Sequence, residues 1–303
     1  MEVCELKFKN ILYNKKIVPW LFIAPFLLFF TIFKIWPIIY SAFLSLHEMS
    51  GLNNSTFVGL QNYYDVFSDG DFLKAVWNNT KYMLGTMITL IPIPLIFAVL
   101  LDSKHCKGKT IYKAILFIPT LTSLVIAAAV FKILLYEGET GIINTIIGFF
   151  GVSPQKWLVN PKLTIPSVIL IATWRWTGMN LIYFTTGLTG ISEELYESAS
   201  IDGANMLQRF YYITIPLLKP IIVFVATLNL IGGYKLFTEV FMLWDGGASP
   251  GKSALTMAVM LYRTAFSYFE LGYASTIGFV MAIIILVLSL IQLKLTGFFE
   301  EEE

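Results

Sequence analysis

Six long apolar runs constrain this chain more than any other feature of its sequence. A helix that crosses a bilayer needs about 20 mostly apolar residues, and each run is long enough. Hydrophobic residues make up 56% of the 303 residues and charged residues only 14%, which excludes an ordinary water-soluble domain. We therefore predict an all-α membrane protein. Its six crossing helices are predicted over residues 18–46, 77–101, 114–136, 164–187, 220–244 and 274–295.

A further apolar stretch, residues 255–268, is too short to cross the membrane alone. It is predicted to form an amphipathic or re-entrant helix on the outer side. A seventh crossing is the alternative that composition leaves open.

The placement of lysines predicts the orientation of the chain. Cytoplasmic segments collect Lys and Arg. Four lysines lie in the N-terminal tail, residues 1–17, and four more follow the second span, whereas the long loop after the first span is acidic. Both termini are therefore predicted to be cytoplasmic, and residues 18–303 to form one transmembrane domain. Cys4 and Cys106 fall on the same side, so no structural disulfide is expected. No histidine has neighbours at metal-ligand spacing, so no metal site is predicted.

Three charged residues lie in the fourth and fifth predicted spans. Arg175 is in the middle of the fourth, and Lys235 and Glu239 are in the fifth. A charge in hydrocarbon is costly, so such groups turn toward a protein interior or a water-filled path. Lys235 and Glu239 are four residues apart and are expected to pair on one helix face. Two interpretations stay open: the pair lines a path, or it neutralises itself and only holds helices together.

Residues 246–253 match the phosphate-binding pattern G-x-x-x-x-G-K-[ST] letter for letter. That pattern requires a β-strand before it and a helix after it in a soluble α/β domain. Here a membrane span precedes it, and the predicted orientation places it outside the cell. We therefore expect a flexible external turn and no nucleotide site.

The loop over residues 188–219 is predicted to form a helix, a sharp turn and a second helix. Ser192 can cap the first helix, and Gly203 allows the turn. Pro216 and Pro220 are expected to end the second helix and start the next span. Such a helical hairpin suits docking into a partner's groove. A solvated loop is the alternative, but it would not need so many apolar side chains.

At this loop a resemblance becomes apparent. The run Tyr196-Glu-x-Ala-x-Ile-Asp-Gly-Ala204, followed by Ile213-Thr-x-Pro-Leu217, resembles the coupling loop of bacterial ABC importer permeases. The nearest subgroup is the carbohydrate-uptake permeases of the maltose and glycerol-phosphate type. Residues 91–104 and 153–158 look like the arabinose-oligosaccharide permeases of Gram-positive bacteria. The resemblance covers nearly the whole chain. Its one departure in the loop is Ser198, where the family usually has alanine.

The resemblance implies the type I ABC importer permease fold in a bacterial plasma membrane, surrounded by membrane lipid. The chain would be a transport subunit and not an enzyme. Its implied partners are a second, usually non-identical permease, a cytoplasmic ATPase dimer, an extracellular solute-binding protein and a sugar. No nucleic-acid partner is implied. ATP-Mg would bind the ATPase, and this chain would bind no cofactor. Carried over by position, Glu197, Ala199, Asp202 and Gly203 become the ATPase-coupling residues.

For the sugar, aromatic faces and paired polar groups are the expected chemistry. Trp174 and Trp176 cannot both face the path fully, since they are about 200° apart on a helix. Many aromatic residues must instead be core or lipid-facing. The candidate path residues are Trp174, Arg175, Trp176, Asn180, Tyr183, Asn229, Tyr234, Lys235 and Glu239.

Two other classes of membrane protein are the alternatives. An ion-coupled secondary sugar transporter could use Arg175, Lys235 and Glu239 as a relay, but such carriers contain internal repeats and none is detectable here. An integral membrane enzyme would need a cluster of His, Asp or Glu at a span end, and the sequence has none.

Overall fold

The computed structural model describes residues 15–49, 55–103, 106–246 and 249–297. Most of the predicted tail over residues 1–17 therefore lies outside the described residues. In chain order the elements are α1 (Val18–Phe30), a π-helical turn (Thr31–Ile35), α2 (Trp36–Ser45), β1 (His47–Met49), β2 (Ser55–Phe57), α3 (Gln61–Ser68), α4 (Gly70–Leu90), α5 (Pro92–Asp102), α6 (Lys109–Leu121), α7 (Leu124–Leu134), α8 (Ile142–Gly148), α9 (Thr164–Thr189), α10 (Glu193–Ile201), α11 (Met206–Arg209), a second π-helical turn (Phe210–Thr214), α12 (Ile215–Leu217), α13 (Lys219–Tyr234), α14 (Thr238–Leu243), a 3₁₀ turn (Pro250–Lys252), α15 (Met257–Phe266) and α16 (Leu271–Leu295).

The chain packs as two compact units. Of the described residues, those up to 65 and those from 264 to 276 form the first unit, and those from 66 to 263 and from 277 to 297 form the second. In the first unit, α1 carries no buried residue and continues through the π-helical turn into α2. Strands β1 and β2 then pair antiparallel. The Asn62 amide donates to the carbonyl oxygens of Ser45 and His47, at 3.0 Å each, and ties the end of α2 to the start of α3.

Helix α9 organises the second unit. It packs against α4, α5, α6 and α13, and its contact with α6 is close because Gly178 faces the backbone of Leu116. Leucine, phenylalanine, alanine and valine side chains fill the space where α5, α9 and α13 meet. These core residues are Leu95, Ala98, Leu101, Leu181, Phe184, Leu188, Leu218 and Val225.

Within the described part of the chain, three helices are long and apolar enough to cross a membrane, and two bent helix pairs raise the number to as many as five. The three are Val18–Ser45, Gly70–Asp102 and Leu271–Leu295, which coincide with the first, second and sixth predicted spans. Helix α9 covers the fourth span with 26 residues but is more polar. A helix surrounded by other helices does not need a lipid-compatible surface. Six crossings and cytoplasmic termini remain a prediction.

Two predicted spans are not continuous helices. The third bends by 97° between α6 and α7, beyond Pro119. In the fifth, α13 ends at Tyr234 and α14 begins only at Thr238. The prediction of one continuous helix over residues 220–244 was therefore wrong. The helix breaks because the glycine-rich sequence before the break weakens it there.

The prediction for Pro216 was wrong, whereas the structure favours the prediction for residues 255–268. Pro216 does not end the second hairpin helix, because the π-helical turn before it carries the chain on to Leu217, and the 68° bend comes at Leu218. Helix α15 has 10 residues. At 1.5 Å per residue it is about 15 Å long, half the hydrocarbon thickness, which favours the amphipathic or re-entrant helix over a seventh crossing.

Candidate functional site

A cavity of about 380 Å³ lies in the second unit, between α4, α9 and α13. We call it the central cavity. One part of its wall is residues 235–237, where the chain leaves α13 and has not yet entered α14; we call these residues the helix break. The polar and aromatic residues of the wall are Tyr82, Thr86, Trp176, Asn180, Tyr183, Asn229, Lys235, Phe237, Thr238 and Glu239.

The structure brings six of the nine candidate path residues to this wall: Trp176, Asn180, Tyr183, Asn229, Lys235 and Glu239. Several of them are fixed by neighbouring groups. The Asn180 amide donates to the Leu90 carbonyl oxygen at 2.8 Å, and the Tyr183 ring meets the Phe224 ring edge-on at 5.3 Å. The wall thus presents an aromatic ring face beside amide groups, and neighbouring groups fix their positions. This is the chemistry expected for a sugar.

Two of the remaining candidates point elsewhere. Trp174 packs edge-on against Phe131, with ring centroids 5.3 Å apart, while Trp176 takes the cavity side. Tyr234 is buried, and its hydroxyl shares a 2.8 Å hydrogen bond with the Thr80 hydroxyl. Neither residue lines the cavity.

Arg175, the third remaining candidate, stabilises the bend between α6 and α7. Its guanidinium donates to the carbonyl oxygen of Thr122, and Pro119 offers a second carbonyl at 3.5 Å. The last carbonyls of a helix have no partner within it and carry partial negative charge, so a cation there stabilises the helix end. The same guanidinium lies 5.1 Å from the centre of the Trp176 ring, which favours a cation–π contact.

Lys235 and Glu239 do not pair with each other. In the described part of the chain neither forms an ion pair with the other, so the predicted pairing on one helix face was wrong. The helix break separates them, and the i, i+4 geometry exists only on a continuous helix. Lys235 is exposed, whereas Glu239 is only 6% exposed.

The hairpin over residues 188–219 is a second structured region. As predicted, Ser192 caps α10 by accepting from the Glu194 amide at 3.3 Å, and Gly203 makes the turn with a φ of +81°. Asn205 and Gln208 form a reciprocal capping box at the start of α11. Local hydrogen bonding thus defines both helix starts, and glycine supplies the left-handed residue that the turn requires.

Two side-chain hydrogen bonds join the arms of the hairpin. Arg209 donates to the Ser200 hydroxyl at 2.7 Å, and the hydroxyls of Tyr196 and Thr214 lie 3.0 Å apart. Thr214 itself is buried. The hairpin is therefore tied to the chain that leads into α13.

Apolar side chains project from the tip of the hairpin. Ile201 is 87% exposed, and Met206 and Leu207 are exposed as well. The predicted coupling residues Glu197, Asp202 and Gly203 are exposed beside them, with Ala199 half-buried. Exposed apolar groups so close together are typical of an interaction surface.

Comparison with known families decides which class this architecture belongs to. Residues 82–299 match the model of the binding-protein-dependent transport system inner membrane component family. That range contains the central cavity and the whole hairpin. The chain belongs to this family. It is a membrane transport component and not an enzyme, and the secondary-transporter and membrane-enzyme alternatives are set aside.

Curated relatives extend the match over almost the entire permease. The arabinooligosaccharides transport system permease protein AraP of Bacillus subtilis (strain 168) is 43% identical over 294 residues, covering 97% of this chain and 93% of the relative. AraP of Halalkalibacterium halodurans is 38% identical over 288 residues, covering 95% and 90%.

A solved structure supports the fold. A chain from the crystal structure of a bacterial ABC transporter involved in the import of the acidic polysaccharide alginate superimposes with a TM-score of 0.82. The match covers 95% of this permease and 97% of that chain, at 22% sequence identity. The permease therefore has the fold of an ABC importer subunit.

Sequence reasoning missed three polar residues of the cavity wall, Tyr82, Thr86 and Thr238. The signal for two of them was present. Polar residues recur at positions 78, 79, 82 and 86 of the second span, a spacing that places them on one helix face. A polar stripe on a membrane-spanning helix marks the side that faces protein or a path.

The segment that matches the phosphate-binding pattern is built differently from such a loop. Residues 247 and 248 lie outside the described residues, but Lys252 forms an ion pair with Asp71 and the Gly251 carbonyl accepts from Lys74 at 2.7 Å. Helix α14, and not a strand, precedes it. The lysine that the pattern would assign to a phosphate therefore binds a carboxylate in this structure.

Proposed function

We propose that this permease is one half of the pore of an ATP-driven oligosaccharide importer. The observation that carries the proposal is membership of the binding-protein-dependent family together with 43% identity to a permease named for arabinooligosaccharide transport. In this proposal a second, non-identical permease completes the pore. A cytoplasmic ATPase dimer binds ATP-Mg, and an extracellular solute-binding protein delivers the sugar. Arabinose-containing oligosaccharides are the proposed substrate class.

The central cavity is the proposed sugar path. Its volume of about 380 Å³ lies in the range of small-ligand sites. Trp176 and Tyr183 offer ring faces for the C–H groups of a sugar, and Asn180 and Asn229 offer amides for its hydroxyls. Lys235 adds a charged donor in the helix break, and Glu239 adds a charged acceptor in the first turn of α14. Irregular backbone in a membrane protein usually lines a cavity.

The hairpin is the proposed link to the ATPase. Glu197, Ala199, Asp202 and Gly203 are assigned to coupling by their position in the family's motif. The exposed Ile201 and its neighbours suit a groove in a partner, and the hydrogen bonds to Thr214 join the hairpin to α13, whose far end reaches the cavity. Movement imposed on the hairpin is therefore expected to reach the cavity wall, which is how two sites are coupled through one two-state element. The proposed orientation, with both termini in the cytoplasm, places the hairpin on the ATPase side.

The test is reconstitution into proteoliposomes of this chain with its partner permease, ATPase and solute-binding protein. Arabinotriose with the binding protein should stimulate ATP hydrolysis and drive sugar uptake, and omission of this chain should abolish both. Uptake driven by a proton or sodium gradient without ATP would overturn the proposal. Stimulation by another oligosaccharide but not by arabinotriose would overturn the substrate class alone.

A further inference from the structure

The helix break exposes backbone groups that a continuous helix would have satisfied. The last carbonyls of α13 have no partner within that helix. The first amides of α15, a separate helix that begins at Met257, have no partner within their own helix either. Where a helix is interrupted inside a membrane protein, neighbouring side chains must satisfy such groups, since lipid cannot. The residue that does so here does not line the central cavity.

Asn79 on α4 supplies the missing partners. Its amide nitrogen donates to the carbonyl oxygen of Gly233 at 2.8 Å, and the Tyr234 carbonyl lies 3.4 Å away. Its amide oxygen accepts from the backbone N–H of Met257 at 3.0 Å. A carbonyl only accepts and a backbone N–H only donates, so these partners fix the orientation of the amide.

Burial makes these bonds consequential. Asn79 is 0% exposed, so water cannot replace a partner that is lost. Through this one side chain, α4, the end of α13 and the start of α15 are joined at a single point. The Thr256 hydroxyl adds a second tie to the same place by donating to the carbonyl oxygen of Leu236, inside the break, at 2.8 Å.

The opposite side of the break faces the central cavity. Gly233, Lys235 and Glu239 line it. Lys235 is the first residue of the break that Asn79 holds, and Glu239 lies in the first turn of α14, directly after the break. We propose that Asn79 is a positioning residue, which holds the helix break in the conformation that presents Lys235 and Glu239 to the transported sugar. The role for sugar rests on the proposed function; the positioning of the break does not.

A matched control lies next to it in the sequence. Asn78 is 1% exposed, and its amide donates to the carbonyl oxygens of Lys252 and Leu255 at 3.0 and 2.9 Å. It is therefore an equally buried asparagine on the same helix, but it binds the segment that precedes α15 and makes no bond to the helix break. Loss of Asn78 tests what removing a buried amide does in general.

The variants are Asn79→Leu, which replaces the amide with an apolar side chain of similar size, and Asn79→Ala, which removes it altogether. Asn78→Leu is the control. In a background with Cys4 and Cys106 replaced by serine, Lys235→Cys reports the position of the break through its reaction rate with a water-soluble maleimide. With Lys235 restored, reconstituted complexes report the number of sugars taken up per ATP hydrolysed. The melting temperature of each purified protein measures the general loss of stability.

Both Asn79 variants should change the maleimide rate at position 235 about tenfold, the factor expected when one buried hydrogen bond ceases to hold a conformation. They should also reduce the sugars taken up per ATP. Asn78→Leu should lower the melting temperature similarly and leave both readouts unchanged. Equal effects of the Asn79 and Asn78 variants on the maleimide rate would overturn the proposal.

Two further arms keep the outcomes distinct. If the Asn79 variants do not fold, Thr256→Val removes the tie to Leu236 with little change of shape and should produce the same change in rate; an unchanged rate would refute the proposal. If the unmodified complex shows no sugar-dependent ATP hydrolysis, the proposed function fails, while the maleimide rates still decide whether Asn79 holds the break.

Discussion

The contact between α6 and α9 depends on the absence of a side chain at Gly178, and this allows a prediction of definite size. A Cβ atom at this position would lie 2.6 Å from the carbonyl carbon of Leu116 and from the Cα of Phe117, and closer still to the Leu116 carbonyl oxygen. Ordinary contacts between carbon atoms are about 3.5–4.0 Å, so α6 would have to move by about 1 Å. All three atoms belong to the backbone, and no change of rotamer relieves the clash.

We therefore expect Gly178→Ala to destabilise the permease by about 1–3 kcal/mol, as overpacking of a core does. The corresponding fall in melting temperature is about 2–12 °C for a protein of this size. The displacement should also weaken the bond from Arg175, one turn away on α9, to the Thr122 carbonyl. The measurement is thermal unfolding of purified protein in a fixed detergent or nanodisc.

Gly232→Ala is the matched control. Gly232 lies inside α13, and a Cβ there would meet nothing within 4 Å. Alanine in a helix interior is favoured over glycine by about 0.5–1 kcal/mol, so this variant should melt at the same temperature or higher. Equal melting temperatures for the two alanine variants would refute the close contact of α6 with α9.

Two further predictions concern the hairpin. Gly203→Val should abolish uptake while membrane insertion is retained, because a φ of +81° costs a residue with a side chain about 1–2 kcal/mol and a β-branched residue more. The control, Gly203→Asn, should retain most uptake. Normal uptake by the valine variant would count against the coupling role. Tyr196→Phe and Thr214→Val each remove a hydrogen bond worth about 1 kcal/mol between the arms of the hairpin, so more ATP should be hydrolysed per sugar transported. The control, Thr214→Ser, should behave as the unmodified protein. An unchanged ratio of ATP to sugar in the first two variants would contradict a rigid hairpin.

What the sequence predicted correctly depended on local signals. The start of α10 at Ser192 and the turn at Gly203 follow from capping and from glycine's freedom at positive φ, and both are properties of a few neighbouring residues. The first, second and sixth spans were found because their apolar runs are continuous. Six of the candidate path residues line one cavity because charged and amide groups inside a span turn away from lipid.

The two breaks could not be predicted in the same way. A broken helix persists only when distant groups satisfy its free ends, and these groups are Arg175 from α9 at the bend after Pro119 and Asn79 from α4 at residues 235–237. Neither helix is a sequence neighbour of the break that it supports. The pairing of Lys235 with Glu239 failed for this reason, since it assumed a continuous helix between them.

The central claim is that the hairpin lies in the cytoplasm, where an ATPase can bind it. The most direct test is Asp202→Cys in a background without Cys4 and Cys106, labelled in intact cells with a maleimide that does not cross membranes. The account predicts no labelling until the membrane is opened, followed by rapid labelling of this exposed position and protection when the ATPase is added. Labelling of position 202 in intact cells would contradict it.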